Sequence, residues 1–174
     1  MNPLTSVKGT IASGFILAIV VALYLSPENS YLITRNLSIW MHALAGVTWV
    51  GLLYYFNFVQ VPAMADALAD EGGPGPAAIG KYVAPRALLW FRMASAVTWL
   101  TGAWALSISP QYGFVETFIF QAPAGHMMSL GAWMGTIMLF NVWVLIWPNQ
   151  KKVLGIVEAT AEEIAKAKFT AAMA

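Results

Sequence analysis

Apolar residues are concentrated in four long runs along this chain, separated by short segments rich in Gly, Pro and charged residues. The runs lie at about 9–26, 37–61, 87–108 and 127–147. Each is long enough, or nearly so, to cross a hydrocarbon core that needs about 20 helical residues. The pattern predicts an all-α membrane protein, a four-transmembrane-helix bundle formed by residues 1–149.

The last segment, 150–174, has a different pattern, in which apolar and charged residues alternate at helical spacing. Its apolar positions are Val153, Ile156, Val157, Ala161 and Ile164, and the polar positions between and after them include Glu158, Glu162 and Lys166. This spacing predicts an amphipathic C-terminal helix that lies on the membrane surface or against a partner.

The composition supports a membrane protein and excludes several kinds of site. The 174 residues are 59% hydrophobic and 10% charged, with a mean hydropathy of +0.67, which is too apolar for an ordinary soluble domain. The net charge of +1 gives no reason to expect nucleic-acid binding. The absence of cysteine excludes disulfides, Cys-ligated iron–sulfur clusters and c-type haem attachment within this sequence.

The distribution of Lys and Arg predicts the orientation of the four spans, because short loops rich in cations stay in the cytoplasm. One side of the predicted bundle holds Lys8, Lys81, Arg86, Lys151, Lys152, Lys166 and Lys168. The opposite side holds only Arg35. We therefore expect a multi-pass protein of the bacterial inner membrane with both termini in the cytoplasm.

The only two histidines open two copies of one motif, His-x6-Trp-x-Gly-x4-Phe-Asn. The first copy consists of His42, Trp49, Gly51, Phe56 and Asn57, and the second of His126, Trp133, Gly135, Phe140 and Asn141. Seven residues make almost two α-helical turns, so the histidine, tryptophan and phenylalanine of each copy share one helix face. The chain therefore contains an internal repeat that places one potential ligand and two aromatic rings on each of two spans.

Because the second and fourth spans run in the same direction, the repeat predicts that His42 and His126 lie at similar depth near the periplasmic face. Two such imidazoles can be the axial ligands of one haem b, with Trp49 and Trp133 as neighbours of the cofactor. If only one histidine is a ligand, the sixth position is open or filled by Met127 or Met128. The alternative is that each histidine is an interfacial residue or an interhelical hydrogen-bond donor.

The third span carries a partial third copy in which Arg92 stands where the other copies have histidine. Trp90-Phe91-Arg92 and Val97-Thr98-Trp99 correspond to Trp40-Met41-His42 and Val47-Thr48-Trp49. A charged residue inside an apolar span is costly unless it reaches the interface or binds an anion, so Arg92 is a functional candidate. It would anchor a haem propionate if the cofactor is deep, and otherwise contact a lipid phosphate, Asp66, Asp70 or an anionic ligand.

Several of these stretches resemble the membrane domain of the bacterial urate oxidase N-terminal family, the cytochrome c-linked urate hydroxylases. The stretches are residues 40–51, 90–92, 98–102, 135–138, 141 and 148–152, in order along three of the four spans. The resemblance implies a membrane oxidoreductase that passes electrons from urate toward a cytochrome c domain. The sequence contains no Cys-x-x-Cys-His, so the resemblance concerns the membrane domain alone. The histidine pattern is also similar to that of the four-helix protoporphyrinogen oxidases of bacteria.

From these patterns we expect an integral membrane haem b protein that exchanges electrons with a cytochrome c or respiratory complex. Two alternatives remain open at this point. One is a cofactor-free accessory subunit of a larger membrane complex, and the other is an enzyme that acts on urate or a porphyrinogen.

Overall fold

The computed structural model of the chain describes residues 2–25, 30–123 and 125–174, which are 82% helical and contain no strand. The helices are α1 (Val7–Leu25), α2 (Ser30–Tyr55), α3 (Val61–Ala69), α4 (Ala84–Ser107), α5 (Phe114–Phe118), α6 (His126–Phe140), α7 (Trp147–Val153) and α8 (Ala161–Met173). Three π-helical segments, Phe56–Gln60, Ile79–Val83 and Asn141–Ile146, are continuous with the helices that they adjoin. The predicted all-α fold class is confirmed.

Three helices in the described part of the chain are long and apolar enough to cross a membrane. They are Val7–Leu25, Ile33–Ala69 and His126–Val153, which correspond to the predicted first, second and fourth spans. Residue 26, the last of the predicted first span, lies outside the described residues. By length and composition, these helices indicate a membrane protein.

The predicted third span corresponds to α4, a helix of 24 residues that does not meet the same criterion of apolarity. It buries four polar residues, Arg92, Ser95, Thr98 and Thr101. The three hydroxyls donate to carbonyls of α4 itself, with distances of 2.7 Å for Ser95, 2.7 Å for Thr98 and 2.6 Å for Thr101. Both α2 and α6 pack against α4. Its polar residues are buried, whereas Trp90 and Leu100 of the same helix are 63% and 60% exposed.

Helices α2 and α4 pack along their lengths in antiparallel orientation. Toward one end, the rings of Phe56 and Phe91 meet edge to face with centroids 5.5 Å apart. Toward the other end, a Cβ added to Gly46 would lie 3.8 Å from Cγ2 of Thr98. The buried core between these contacts is formed by Trp49, Phe91, Ala94 and Val142, the last contributed by the segment that follows α6.

Each π-helical segment ends two residues before a proline. These prolines are Pro62, Pro85 and Pro148, and each lies in the first turn of the α-helix that follows. A proline ring clashes with the carbonyl four residues earlier, and a wider turn relieves that clash while the helix continues. The three segments lie at the same end of the bundle, where α2 ends, α4 begins and α6 ends.

The predicted amphipathic tail is divided in two rather than forming one helix from residue 150. Helix α7 ends at Val153 because Gly155 adopts a φ of 70°, and the amide of Ile156 donates to the Lys151 carbonyl at 2.9 Å, which closes the helix end. Helix α8 then begins after Thr160 and packs against α7 and Asn141–Ile146, with Ala167 only 1% exposed. The tail therefore packs against the helical bundle.

The first turn of α8 is closed by a capping box. The Glu163 amide donates to Oγ1 of Thr160 at 3.2 Å, and the Thr160 amide donates to Oε2 of Glu163 at 2.9 Å. Glu163 also forms an ion pair with Lys152 of α7, with 3.5 Å between Nζ and Oε1. This carboxylate therefore joins the start of α8 to the end of α7.

Acidification should loosen the start of α8. The backbone hydrogen bond from Thr160 and, next, the charge of Lys152 lower the pKa of Glu163. Because the folded pKa lies below the unfolded value of about 4.3, the stabilisation is complete above that value and is lost as the pH falls through the folded pKa. Hydrogen exchange of the α8 amides, corrected for intrinsic rates, should show less protection at about pH 3 than at neutral pH.

The control for this prediction is E163Q, which keeps an amide oxygen for the capping box but carries no charge. Protection of α8 in this variant should change little over the same range. The same acid-dependent loss of protection in E163Q would show that Glu163 is not its cause.

Candidate functional site

A cavity of about 530 Å³ lies at the end of the bundle where α2 and α6 begin and α4 ends. The helices α2, α4 and α6 form its walls, and the connection that contains α5 contributes Tyr112, Phe114 and Phe118. Its polar lining residues are Arg35, His42, Thr98, Ser109 and Tyr112. Small residues of α4 and α6, among them Gly102, Gly131, Ala132 and Gly135, also line it. Its volume is in the range of small-molecule and cofactor sites.

His42 is held in one orientation by α4. Its Nδ1 lies 2.8 Å from the carbonyl oxygen of Thr98, which can only accept a hydrogen bond. Nδ1 therefore carries the proton and donates, and Nε2 is the free acceptor of the ring. Metal-binding histidines usually have this arrangement, in which the second ring nitrogen donates to a carbonyl or carboxylate that fixes the tautomer.

Gly102 of α4 provides the space that the His42 ring occupies. A Cβ at this position would lie 2.9 Å from Cε1 and 3.1 Å from Nδ1 of His42. These distances are shorter than ordinary van der Waals contacts, so the imidazole packs directly on the backbone of α4. Gly102 and the Thr98 carbonyl together fix the position of the His42 ring.

Arg35 lies seven residues before His42, on the same face of α2, and also lines the cavity. It is half-buried and forms no ion pair with any acidic residue in the described part of the chain. Partly buried cations are stabilised by a counter-ion or by an anionic ligand. The cavity thus combines a histidine whose Nε2 is free with a cation that forms no ion pair among the described residues.

The aromatic residues of the cavity are held by hydrogen bonds between helices. Nε1 of Trp99 donates to Oγ1 of Thr136 at 2.8 Å, which joins α4 to α6. The rings of Trp99 and Phe114 meet edge to face with centroids 6.4 Å apart. These contacts give the cavity flat, rigid sides.

Only two of the five residues predicted to bind a cofactor line this cavity. They are His42 and Trp49, both on α2, and Trp49 is 6% exposed. Trp133 is outside the lining but supports it, because its Nε1 donates to the Phe118 carbonyl at 2.9 Å and its ring packs against Phe118. Arg92 does not line the cavity, and its Cζ lies 3.1 Å from the ring centroid of Trp147.

The second predicted axial ligand, His126, is not among the cavity lining residues. It is the first residue of α6 and is exposed, with its ring 6.2 Å from that of Phe120. Of the two methionines considered as substitutes, Met128 lines the cavity and Met127 is 83% exposed. The structure therefore brings His42 and Met128 to one cavity and leaves His126 outside it.

Three residues of the site were not identified as functional from the sequence, namely Arg35, Gly102 and Tyr112. The sequence pattern assigns Arg35 only to the charges that set the membrane orientation. Because Arg35 lies seven residues before His42, it continues the helix face of His42, Trp49 and Phe56, and this spacing indicates that it belongs to the same site. The roles of Gly102 and Tyr112 depend on which helix and loop pack against α2, and no local pattern indicates that.

Comparison with known proteins does not identify the function of this site. No protein-family model, curated protein or solved structure matches it. Among the described residues, no three side chains of His, Cys, Asp or Glu form a cluster able to hold a metal ion. The resemblance to the urate oxidase N-terminal family stays a prediction.

Replacing Gly102 with alanine should displace the His42 ring and weaken its bond to Thr98. The added Cβ would lie 2.9 Å from the ring, and overpacking of this kind costs about 1–3 kcal/mol. Thermal unfolding in detergent should show a lower midpoint for G102A. The matched control is G51A, because a Cβ at Gly51 meets nothing within 4 Å. Equal midpoints for G102A and wild type would contradict the close packing of His42 on α4.

Proposed function

We propose that this protein is a haem b protein of the bacterial inner membrane that exchanges electrons with a cytochrome c or a respiratory complex. The observation that supports it is the orientation of His42, with Nδ1 bonded to the Thr98 carbonyl and Nε2 free on a side chain that lines the cavity. Nε2 is a ring nitrogen through which histidine binds haem iron.

The other lining residues fit a large planar ligand with an anionic edge. Tryptophan and phenylalanine rings provide flat apolar walls, and the glycines of α4 and α6 allow close approach. Arg35, which has no counter-ion in the described part of the chain, suits a propionate carboxylate, with which arginine forms strong paired hydrogen bonds. Tyr112 offers a further hydroxyl donor at the same cavity.

As the second residue that would hold the haem, we favour Met128 over His126. Met128 lines the cavity with His42, whereas His126 does not. Held by histidine and methionine, the haem would supply electron-transfer chemistry at a higher reduction potential than two histidines would give.

When bound, haem supplies one-electron redox chemistry, and the residues of the chain determine how well that chemistry works. The Thr98 carbonyl fixes the His42 tautomer and raises the basicity of Nε2. The aromatic residues limit the access of water, and Arg35 neutralises negative charge at the edge of the cavity. These contributions are binding, orientation and electrostatic stabilisation.

The proposal includes four membrane crossings with both termini in the cytoplasm. Helix α4 is packed antiparallel to α2 along its length, so it crosses wherever α2 crosses, and its polar residues Arg92, Ser95, Thr98 and Thr101 are buried. The positive-inside rule then places Lys151 and Lys152 in the cytoplasm and Arg35 on the periplasmic side. The cavity lies near Arg35, where a periplasmic cytochrome c can approach it.

Arg35, which forms no ion pair in the described part of the chain, also supports an enzyme alternative. In this alternative, the cavity admits a planar anionic substrate such as urate, or a porphyrinogen with its carboxylates. The test is to add urate or a porphyrinogen to haem-loaded protein in detergent under anaerobic conditions. An enzyme of this kind would reduce its haem in proportion to the substrate added, and a simple electron carrier would not.

A cofactor-free accessory subunit is favoured by a different observation, the exposure of α1. None of the residues of this 19-residue apolar helix is buried, and its described ring contact with the bundle is the Phe15–Trp40 pair. Such a helix can pack against a neighbouring subunit. In that case, replacement of both histidines would leave the optical spectrum and complex assembly unchanged.

Replacement of His42 should abolish haem binding, whereas replacement of His126 should not. Purified wild-type protein should show a b-type α band in the reduced-minus-oxidised spectrum, and H42A should lose it because the ligand is gone. H126A is the matched control, since His126 is the equivalent residue of the repeat and lies outside the cavity. Loss of the band in H126A but not in H42A would contradict the proposed ligand.

Replacement of Arg35 with glutamine should weaken haem binding by about 10- to 100-fold, since a hydrogen bond to a charged partner contributes about 1.5–3 kcal/mol. Haem titration followed by optical absorption measures the affinity, and the position of the α band should change little. The control is R86Q, since Arg86 lies at the other end of α4 and is bonded to the Tyr82 carbonyl. Equal haem affinities of R35Q and wild type would exclude a carboxylate contact at Arg35.

A further inference from the structure

Arg92 lies in a second polar site, remote from the cavity, near the end of the bundle where α6 continues into α7. The residue is 9% exposed. Its Cζ lies 3.1 Å from the centroid of the Trp147 ring, so the guanidinium lies over the indole. The contact is a cation–π interaction, which involves the face of the ring and does not use the N–H groups of the arginine.

The described part of the chain does not meet the hydrogen-bonding capacity of Arg92. Nη1 is buried and has no hydrogen-bond partner among the described residues. No acidic residue in the described ranges forms an ion pair with the guanidinium, and the single described pair joins Lys152 to Glu163. A buried charge with unused donors is unfavourable unless a further group accepts its hydrogen bonds.

A second cation lies beside the same indole. Nζ of Lys151 is 5.8 Å from the centroid of the Trp147 ring, and Lys151 also forms no ion pair with the described acidic residues. Two cations beside one ring repel each other, and an anion close to both would offset this repulsion. The cation–π contact uses none of the N–H groups of the guanidinium, which leaves these donors for an oxyanion, and phosphate is well matched to them.

The position of these residues identifies the source of the oxyanion. Trp147 and Lys151 lie near the end of the apolar helix His126–Val153, where tryptophan and lysine commonly mark the membrane interface. We infer that Arg92, Trp147 and Lys151 bind the headgroup phosphate of an anionic phospholipid at this interface. The inference does not depend on haem binding, because no residue of this group lines the cavity.

The test measures stabilisation of the full-length protein in a neutral detergent by added phosphatidylglycerol, with phosphatidylcholine and inorganic phosphate in parallel. Phosphatidylglycerol should raise the thermal unfolding midpoint and remain bound in native mass spectrometry. R92Q should bind it about tenfold or more weakly, because the charged hydrogen-bond donor is removed. K151Q, a change at a half-exposed residue that should not affect folding, should also weaken binding, by a smaller factor.

The matched control is R86Q, which removes a cation from the same helix outside this group and should respond to phosphatidylglycerol as wild type does. Equal binding by wild type, R92Q and K151Q would overturn the assignment. An equal response to phosphatidylcholine would overturn the preference for an anionic lipid. Stabilisation by inorganic phosphate alone, to the same extent as by the lipid, would show a free-phosphate site instead.

Discussion

The close packing of α2 against α4 is the contact on which the rest of the structure depends. Short side chains make it possible: Gly46 faces Thr98, and Gly102 lies under His42. The buried hydroxyls of α4 donate to carbonyls of their own helix, so these polar side chains are satisfied without a partner from α2. Small residues of this kind let helix backbones approach each other in a membrane. A wider separation would remove the His42–Thr98 bond and, with it, the fixed orientation of the imidazole.

The polar residues of the bundle differ in whether their own helix can satisfy them. The hydroxyls of Ser95, Thr98 and Thr101 reach a carbonyl three or four residues earlier, so burying them costs little. An arginine has five donors and a charge, and a charge at the centre of a membrane helix costs about 2.5–3.5 kcal/mol. Arg35 and Arg92 lie toward opposite ends of the bundle without counter-ions in the described residues. We therefore regard them as its strongest indications of bound anions.

The apolar runs predicted the existence of the helices well but not their ends. The second run was expected to end at residue 61, just before Pro62, yet the helix continues to Ala69. Proline usually ends a helix, but here the π-helical turn before Pro62 accommodates the ring, as another does before Pro148. Hydropathy also placed α4 among the spans without showing that both α2 and α6 pack against it. The buried serines and threonines of α4 contain that information, but it becomes clear only when the packing partners are known.

The histidine repeat was predicted to give two equivalent ligands, and the structure places the two histidines in different surroundings. His42 packs against α4, where Thr98 and Gly102 hold its ring. His126 follows Gly125, the residue with a φ of 102° that precedes α6, and its ring lies 6.2 Å from that of Phe120.

Helical spacing determines which residues share a face, but the neighbouring helix determines what that face contacts. In the second copy, the face supports the cavity wall through Trp133 and Phe118. The chemistry of a histidine depends on the partner of its Nδ1, and that partner comes from another helix. For this reason, His42 and His126 cannot be distinguished by the repeat alone.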